Sequence, residues 1–248
     1  RGRKLRGLAK DLARLTSRQR TRIEPEDLHC YASDATHYFA SRAPEAVVLP
    51  ETSAEVSRIL KYAGKRSLPV TPRGAGSGLS AGCTPLKGGI VLDMKRMRRV
   101  LEVNRRNMIA RVEPGVVLTN FHHLLEKQGL FYPPDPQSMD VCTLGGNVAT
   151  RAGGPRGVKY GTTGNYVLGL EVVLPDGEII KTGGLCVKQS VGYDITHLMT
   201  GSEGTLGVIT AATLKLFPRP TARQTAWLAV GDAEAACRLL GRARSESG

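Results

Sequence analysis

Apolar residues along this chain alternate between short unbroken runs and helical three-to-four spacing, and that alternation sets the predicted order of elements. Leu5, Leu8, Leu12 and Leu15 predict a short amphipathic helix at the start. The run Ala46-Val47-Val48-Leu49, set between Pro44 and Pro50, predicts a buried strand. Thr52 or Ser53 can then cap a helix carrying Val56, Ile59, Leu60 and Ala63 on one face and stopping at Gly64. Leu68-Pro69-Val70-Thr71 reads as the next strand, so a compact β-α-β unit runs straight into the glycine-rich stretch Pro72 to Gly78. In open α/β sheets, that is where strands present loops to ligands.

Ile90–Asp93, Val100–Val103 and Met108–Val112 predict three more strands, followed by a helix from Leu118 to Lys127 closed at Gly129. After a proline-rich segment from Pro133, Leu170–Leu174 and Glu178–Lys181 flank Pro175-Asp176-Gly177 and predict a hairpin. Asp194 can cap a short helix through Leu198-Met199, and Gly207 to Phe217 reads as a long strand ended by Pro218 and Pro220. From Thr225 a fresh strand-helix pattern begins, Ala226–Val230 and then Glu234–Leu240. Short strands mixed with short helices indicate an α+β fold. The expected division is a basic helical arm at 1–25, a two-lobed domain at 26–220 with lobes of about 26–115 and 116–220, and a truncated further unit at 221–248.

Composition narrows the class. Hydrophobic residues at 41% and charged residues at 23% exclude collagen-like and mostly disordered chains, while 29 glycines are more than average usage supplies. Cys30, Cys83, Cys142, Cys186 and Cys237 are scattered, odd in number and never form a C-x-x-C pair, which argues against a disulfide scaffold or zinc ribbon. With no long apolar run, the chain reads as cytoplasmic, with peripheral membrane attachment left open. The first 22 residues hold nine Lys or Arg against one acid, Asp11, and so eight of the thirteen net positive charges. This local clustering, with only 5% aromatics, disfavours nucleic acid as the partner. His122, His123 and Glu126 share a predicted helix and read as a solvated face, and no metal site is assigned.

Candidate chemistry lies in the glycine loops. Arg73-Gly74-Ala75-Gly76-Ser77-Gly78-Leu79 can turn successive backbone N–H groups onto an anion, because no Cβ blocks close approach. A Walker ending is missing, and Leu79 stands where G-x-G-x-x-G needs its third glycine, so neither an ATP loop nor a Rossmann loop is supported. A second cluster joins Pro133-Pro134-Asp135-Pro136, Ser138 and Thr143-Leu144-Gly145-Gly146-Asn147 to Gly153-Gly154. Lys159-Tyr160-Gly161 with Asn165 and Val167, and then Gly201-Ser202-Glu203-Gly204-Thr205-Leu206-Gly207, complete the series.

In this order and spacing the motifs resemble the FAD-binding (PCMH-type) domain of the vanillyl-alcohol oxidase type of flavoenzymes, within it the glycolate oxidase FAD subunit and D-lactate dehydrogenase group. The resemblance spans about Leu28 to Pro220 and implies that fold, with residues 221–248 as the start of a cap domain. It implies that Pro72, Arg73, Gly74, Ala75, Gly76, Ser77, Gly78 and Leu79 wrap the pyrophosphate and ribityl chain of FAD. Pro134, Ser138, Thr143, Leu144, Gly145, Gly146, Asn147 and Ala149 would line the opposite side, with Gly154, Tyr160, Gly161 and Val167 near the cofactor. Glu203, Gly204 and Ile209 would lie near its adenosine end. The first loop offers no histidine for covalent attachment and Cys142 reads as a buried small hydrophobe, so the expectation is non-covalent FAD. The implied reaction is oxidation of a small 2-hydroxy acid such as glycolate or D-lactate by hydride transfer to flavin N5, with an electron-accepting protein or quinone as partner. No residue of this chain is assigned as catalytic. Rival readings are a non-catalytic FAD-binding or docking subunit, and an NADPH-dependent flavin reductase of the same fold.

Overall fold

The computed structural model describes residues 2–36, 42–188 and 190–246. Helix α1 (Gly2–Leu15) leads to strand β1 (Thr21–Arg22) and helix α2 (Pro25–His29). The β-α-β unit follows as β2 (Ala46–Val48), α3 (Ser53–Gly64) and β3 (Val70–Arg73), with β4 (Ile90–Asp93) after the glycine loop. Thr52 caps α3 by accepting from the Glu55 amide at 3.2 Å. β2 and β3 both pair in parallel with β4, and β1 adds an antiparallel edge, giving the order β1-β2-β4-β3. Alternate residues of this sheet serve opposite faces. Ala46, Val48, Ile90 and Leu92 pack with Val56, Ile59, Leu60 and Ala63 of α3 and with Leu12 of α1, while Val47 and Val91 pack with Leu28 of α2.

The basic N-terminal stretch is therefore built into the first lobe through its apolar stripe. Leu12 is fully buried, Leu8 and Leu15 pack beside it, and Asp11 accepts from Tyr62 of α3 at 2.9 Å. Arg1 and His37 lie outside the described residues.

The second sheet takes β5 (Val100–Asn104), β6 (Ile109–Val112), β8 (Val167–Val173), β9 (Ile179–Gly183) and β10 (Val208–Lys215) in the antiparallel order β5-β6-β10-β8-β9. This corrects the expected lobe boundary near residue 115. β5 and β6 precede that boundary, yet β6 pairs with β10 and β5 with β6, so both belong to the second sheet. Its core is closed by α4 (Leu118–Glu126), α5 (Leu144–Thr150) and α7 (Ile195–Met199), which supply Leu118, Phe121, Leu125, Leu144, Val148 and Met199. Tyr132 is buried in this core, edge-on to Phe121 and Tyr166. The short strand β7 (Leu130–Phe131) pairs with β11 (Phe217–Pro218), and α6 is the turn Gly157–Tyr160. The two sheets are joined through α3, where Ser53 Oγ donates to Glu171 at 2.5 Å and Ser57 Oγ donates to the Gly177 carbonyl at 2.5 Å.

Two expectations are overturned here. Ala226–Val230 forms no strand; it finds no neighbour to pair with among the described residues, and an unpaired short strand does not hold its shape. The helix after it does form, as α8 (Ala233–Glu246). His122 is not on a solvated face: its Nε2 is buried without a hydrogen-bond partner, and burial pushes the imidazole pKa down. Helix α4 dips that side of the ring towards Tyr132, while His123 stays exposed.

Candidate functional site

The glycine loop leaves the C-terminal end of β3, beside the end of β4, and forms one wall of a cleft of about 300 Å³. Arg73, the last residue of the strand, anchors the loop from below. Its guanidinium is nearly buried and donates to the Ser33 carbonyl at 2.8 Å and the Cys83 carbonyl at 3.4 Å, tying together both flanks of the loop. Gly76 adopts a φ of +75°, and a side chain there would collide with the Arg73 guanidinium. The amide N–H groups of Ala75, Gly76, Ser77, Gly78 and Leu79 donate to no acceptor among the described residues. Five donors left unused on one short segment make a cradle for an anion.

The opposite wall comes from the start of α5 and the segment before it. Thr143 caps α5 by accepting from the Gly146 amide at 3.4 Å, and a Cβ on Gly74 would come within 2.5 Å of that Thr143 Oγ1. Gly145 is packed so closely on Pro114 that any side chain would strike its ring and backbone. Asn147 points a buried Nδ2 that makes no hydrogen bond, although it lies close enough to act on the Cys142 thiol. Ser138 reaches across to Ser77 at 3.4 Å between hydroxyl oxygens.

A third segment, from Gly201 to Ile209, closes one end. The Gly201 amide donates to the Val148 carbonyl at 3.0 Å and the Glu203 amide to Ala149 at 2.9 Å, so this turn hangs from the last residues of α5. Glu203 takes a left-handed φ of +50°, which carries its carboxylate beside Gly82 on the first loop. Burial raises the pKa of the Cys83 thiol on the same side, and the charges of Arg73, Asp34 and Glu203 all act on it.

Of the residues expected at the site, the cleft brings together Pro72, Arg73, Gly74, Ala75, Gly76, Ser77, Gly78, Leu79, Ser138, Thr143, Gly145, Gly146, Asn147, Ala149, Glu203, Gly204 and Ile209. Pro134, Leu144, Gly154, Tyr160, Gly161 and Val167 do not line it. Leu144 and Val167 are core residues, Pro134 is buried, and Tyr160 packs edge-on against Phe131. Gly154 lies against the Asp135 backbone, where a side chain has no room, and Gly161 takes a φ of +73° at a turn braced by Asn165. Sequence reasoning missed Asp34, Cys83, Met94, Pro114 and Val208 on the cleft wall. Met94 was legible as the residue following an apolar strand; Asp34 sits in a polar stretch with no periodic signal.

A buried amide donor, free loop amides and glycines pressed against their neighbours suit a diphosphate-bearing dinucleotide. The comparisons with known proteins agree. Residues 44–183 match the FAD binding domain family, more than half of the chain, and the chain belongs to that family. It is 48% identical over 195 residues to the glycolate oxidase subunit GlcD of Bacillus subtilis, covering 79% of this chain and 41% of that protein. With the D-lactate dehydrogenase of Archaeoglobus fulgidus it shares 50% identity over 182 residues, 73% of this chain and 41% of the relative. A solved alkyldihydroxyacetonephosphate synthase superposes with a TM-score of 0.75 at 28% identity, covering 86% of this chain and 44% of the synthase. The chain thus spans about two fifths of the length of the curated relatives it matches.

Proposed function

We propose that this chain is the FAD-binding portion of a flavin-dependent oxidoreductase acting on a small 2-hydroxy acid of the glycolate or D-lactate kind. Support for the cofactor comes from the free amides of Ala75 to Leu79 sharing one cleft with the unpartnered Asn147 amide. That observation carries the reading, because both walls offer donors and leave them unsatisfied, and a diphosphate is the complementary acceptor. Support for the substrate class comes from the relatives' names. Bound FAD would supply the hydride acceptor for the C2 hydrogen of the hydroxy acid. The chain's own residues hold and orient: the loop amides and Asn147 bind the diphosphate, Arg73 keeps the loop in shape, and the close approach of Gly74 to Thr143 and Gly146 sets the spacing of the walls. Attachment is non-covalent in this reading, since the loop has no histidine and Cys142 is buried with its thiol pKa raised by that burial. A cap domain or partner would complete the substrate site, and an electron-accepting protein or quinone would take the electrons.

The test is an absorption spectrum of the purified chain after incubation with excess FAD and removal of free cofactor, followed by anaerobic addition of D-lactate, glycolate and NADPH in turn. A retained flavin band is the expected result for the chain alone, with bleaching by a hydroxy acid once a cap domain or partner completes the substrate site. A folded, colourless chain overturns the cofactor assignment, bleaching by NADPH alone overturns the substrate class, and a band that no donor bleaches even with the cap or partner present points to a binding subunit.

A further inference from the structure

One carboxylate in the cleft is left without the partner it needs. Asp34 lines the cleft beside the glycine loop, to which it is strapped by the neighbouring Ala35 amide donating to the Gly78 carbonyl at 3.1 Å. Its Oδ1 accepts from the Thr36 amide at 2.9 Å, which fixes the side-chain orientation. Its Oδ2 is buried and accepts nothing, and a Cβ placed on Gly78 would come to 3.8 Å from it. Arg73 makes no ion pair with it; the Arg73 Nη1 donates instead to the Ser33 and Cys83 carbonyls. A buried carboxylate oxygen with no hydrogen bond is strongly disfavoured, so such an atom in a ligand cleft marks a place where the ligand donates.

We propose that Oδ2 of Asp34 receives a hydrogen bond from a hydroxyl or amine donor of the bound dinucleotide. This rests on the FAD reading above and deepens it. A phosphate against Oδ2 would meet like charge from Asp34, and Glu203 adds a second carboxylate at this end of the cleft, where the Arg73 cation also acts. The cleft therefore changes character along the loop: the amide donors of Ala75 to Ser77 and of Asn147 suit the diphosphate, whereas the part by Gly78, where Asp34 lies, suits sugar hydroxyls or a ring amine. Asp34 thereby reads which way round the dinucleotide lies.

Equilibrium titration of the apo-chain with FAD and with FMN, followed by flavin fluorescence, tests this on wild type and on Asp34→Asn. The Asn side chain keeps an oxygen for the Thr36 amide but turns an N–H2 towards the ligand donor. FAD affinity is expected to fall about tenfold or more, the loss typical of a charge-assisted hydrogen bond, with the melting temperature of the apo-chain unchanged. If FMN affinity holds while FAD affinity falls, the donor is on the adenosine half; if both fall together, it is on the ribityl-flavin half. FAD binding within about twofold of wild type overturns the proposal, as does a loss matched by a lowered apo melting temperature. Asp34→Ser, still offering an oxygen to Thr36, replaces the Asn variant should that not fold, and failure of both to fold makes Asp34 structural and overturns the proposal. Wild type that binds no FAD overturns the cofactor reading instead, so the two failures are distinguishable.

Discussion

The two walls of the cleft are both glycine-rich, yet Gly76 on one and Gly145 on the other serve opposite purposes. At Gly76 on the first loop glycine supplies conformation: φ is +75° and the amides around it are left free. Across the cleft glycine supplies closeness: Gly145 is in a helix with an ordinary φ, and what it lacks is room, because Pro114 fills the place of a side chain. One wall is shaped to receive a ligand and the other to keep the protein's own layers tightly packed. Equal glycine content along a sequence therefore does not mean equal function.

The comparison predicts different failures. Gly145→Val should be the more damaging to the fold, since it drives a branched side chain into proline ring and backbone atoms that cannot swing away; about 3 kcal/mol of apo-chain stability should be lost in urea unfolding. Apo stability within about 0.5 kcal/mol of wild type would break the contrast. Gly76→Val should lower apo stability by less, about 2 kcal/mol, because it adds left-handed backbone strain and displaces the hydrogen-bonded Arg73 side chain rather than striking a proline ring and backbone. Its FAD affinity should nonetheless fall at least tenfold in the fluorescence titration. A variant that lost stability and affinity in proportion would mean that both walls are merely structural.

The smallest effect serves as a control away from both walls. Burial alone would raise the Glu55 pKa, but hydrogen bonds from Arg20, at 2.6 and 2.8 Å, and from the Glu51 amide outweigh it and hold the carboxyl below its ordinary value. A carboxyl whose pKa is lower in the folded chain adds stability above its unfolded pKa of about 4.3, and that contribution disappears as pH falls through the folded value. In Arg20→Gln this acid-side loss should shrink, by about 1 kcal/mol or less, in unfolding curves compared between pH 7 and pH 3, with FAD affinity at pH 7 untouched. A change in FAD affinity would show that the α3 end and the cleft are coupled.

Much of the fold was legible because it is written locally. The strand at Ala46–Val48, the capped helix Ser53–Gly64 and the Asp-Gly hairpin each follow from spacing and turn chemistry within a few residues. Partner choice is not local, which is why the hairpin of Val100–Asn104 and Ile109–Val112 reads as part of the first lobe although its second strand pairs with one about a hundred residues later. Apolar Ala226–Val230 misled for the same reason: a β pattern needs a neighbour as well as a composition. At the site, the glycine loops announced themselves as a group. Asp34 did not, because an unpaired oxygen is a property of its surroundings that no residue type encodes, and His122 looked solvated only because its neighbour His123 is.

The chain holds one tryptophan, Trp227, on the irregular stretch after β11 and 97% exposed. It lies outside the cleft lining, so its emission should start near the long-wavelength limit of a water-bathed indole. Any protein or chain segment that settles over this stretch will then move that emission to the blue, giving a label-free signal for docking that can be read separately from flavin fluorescence.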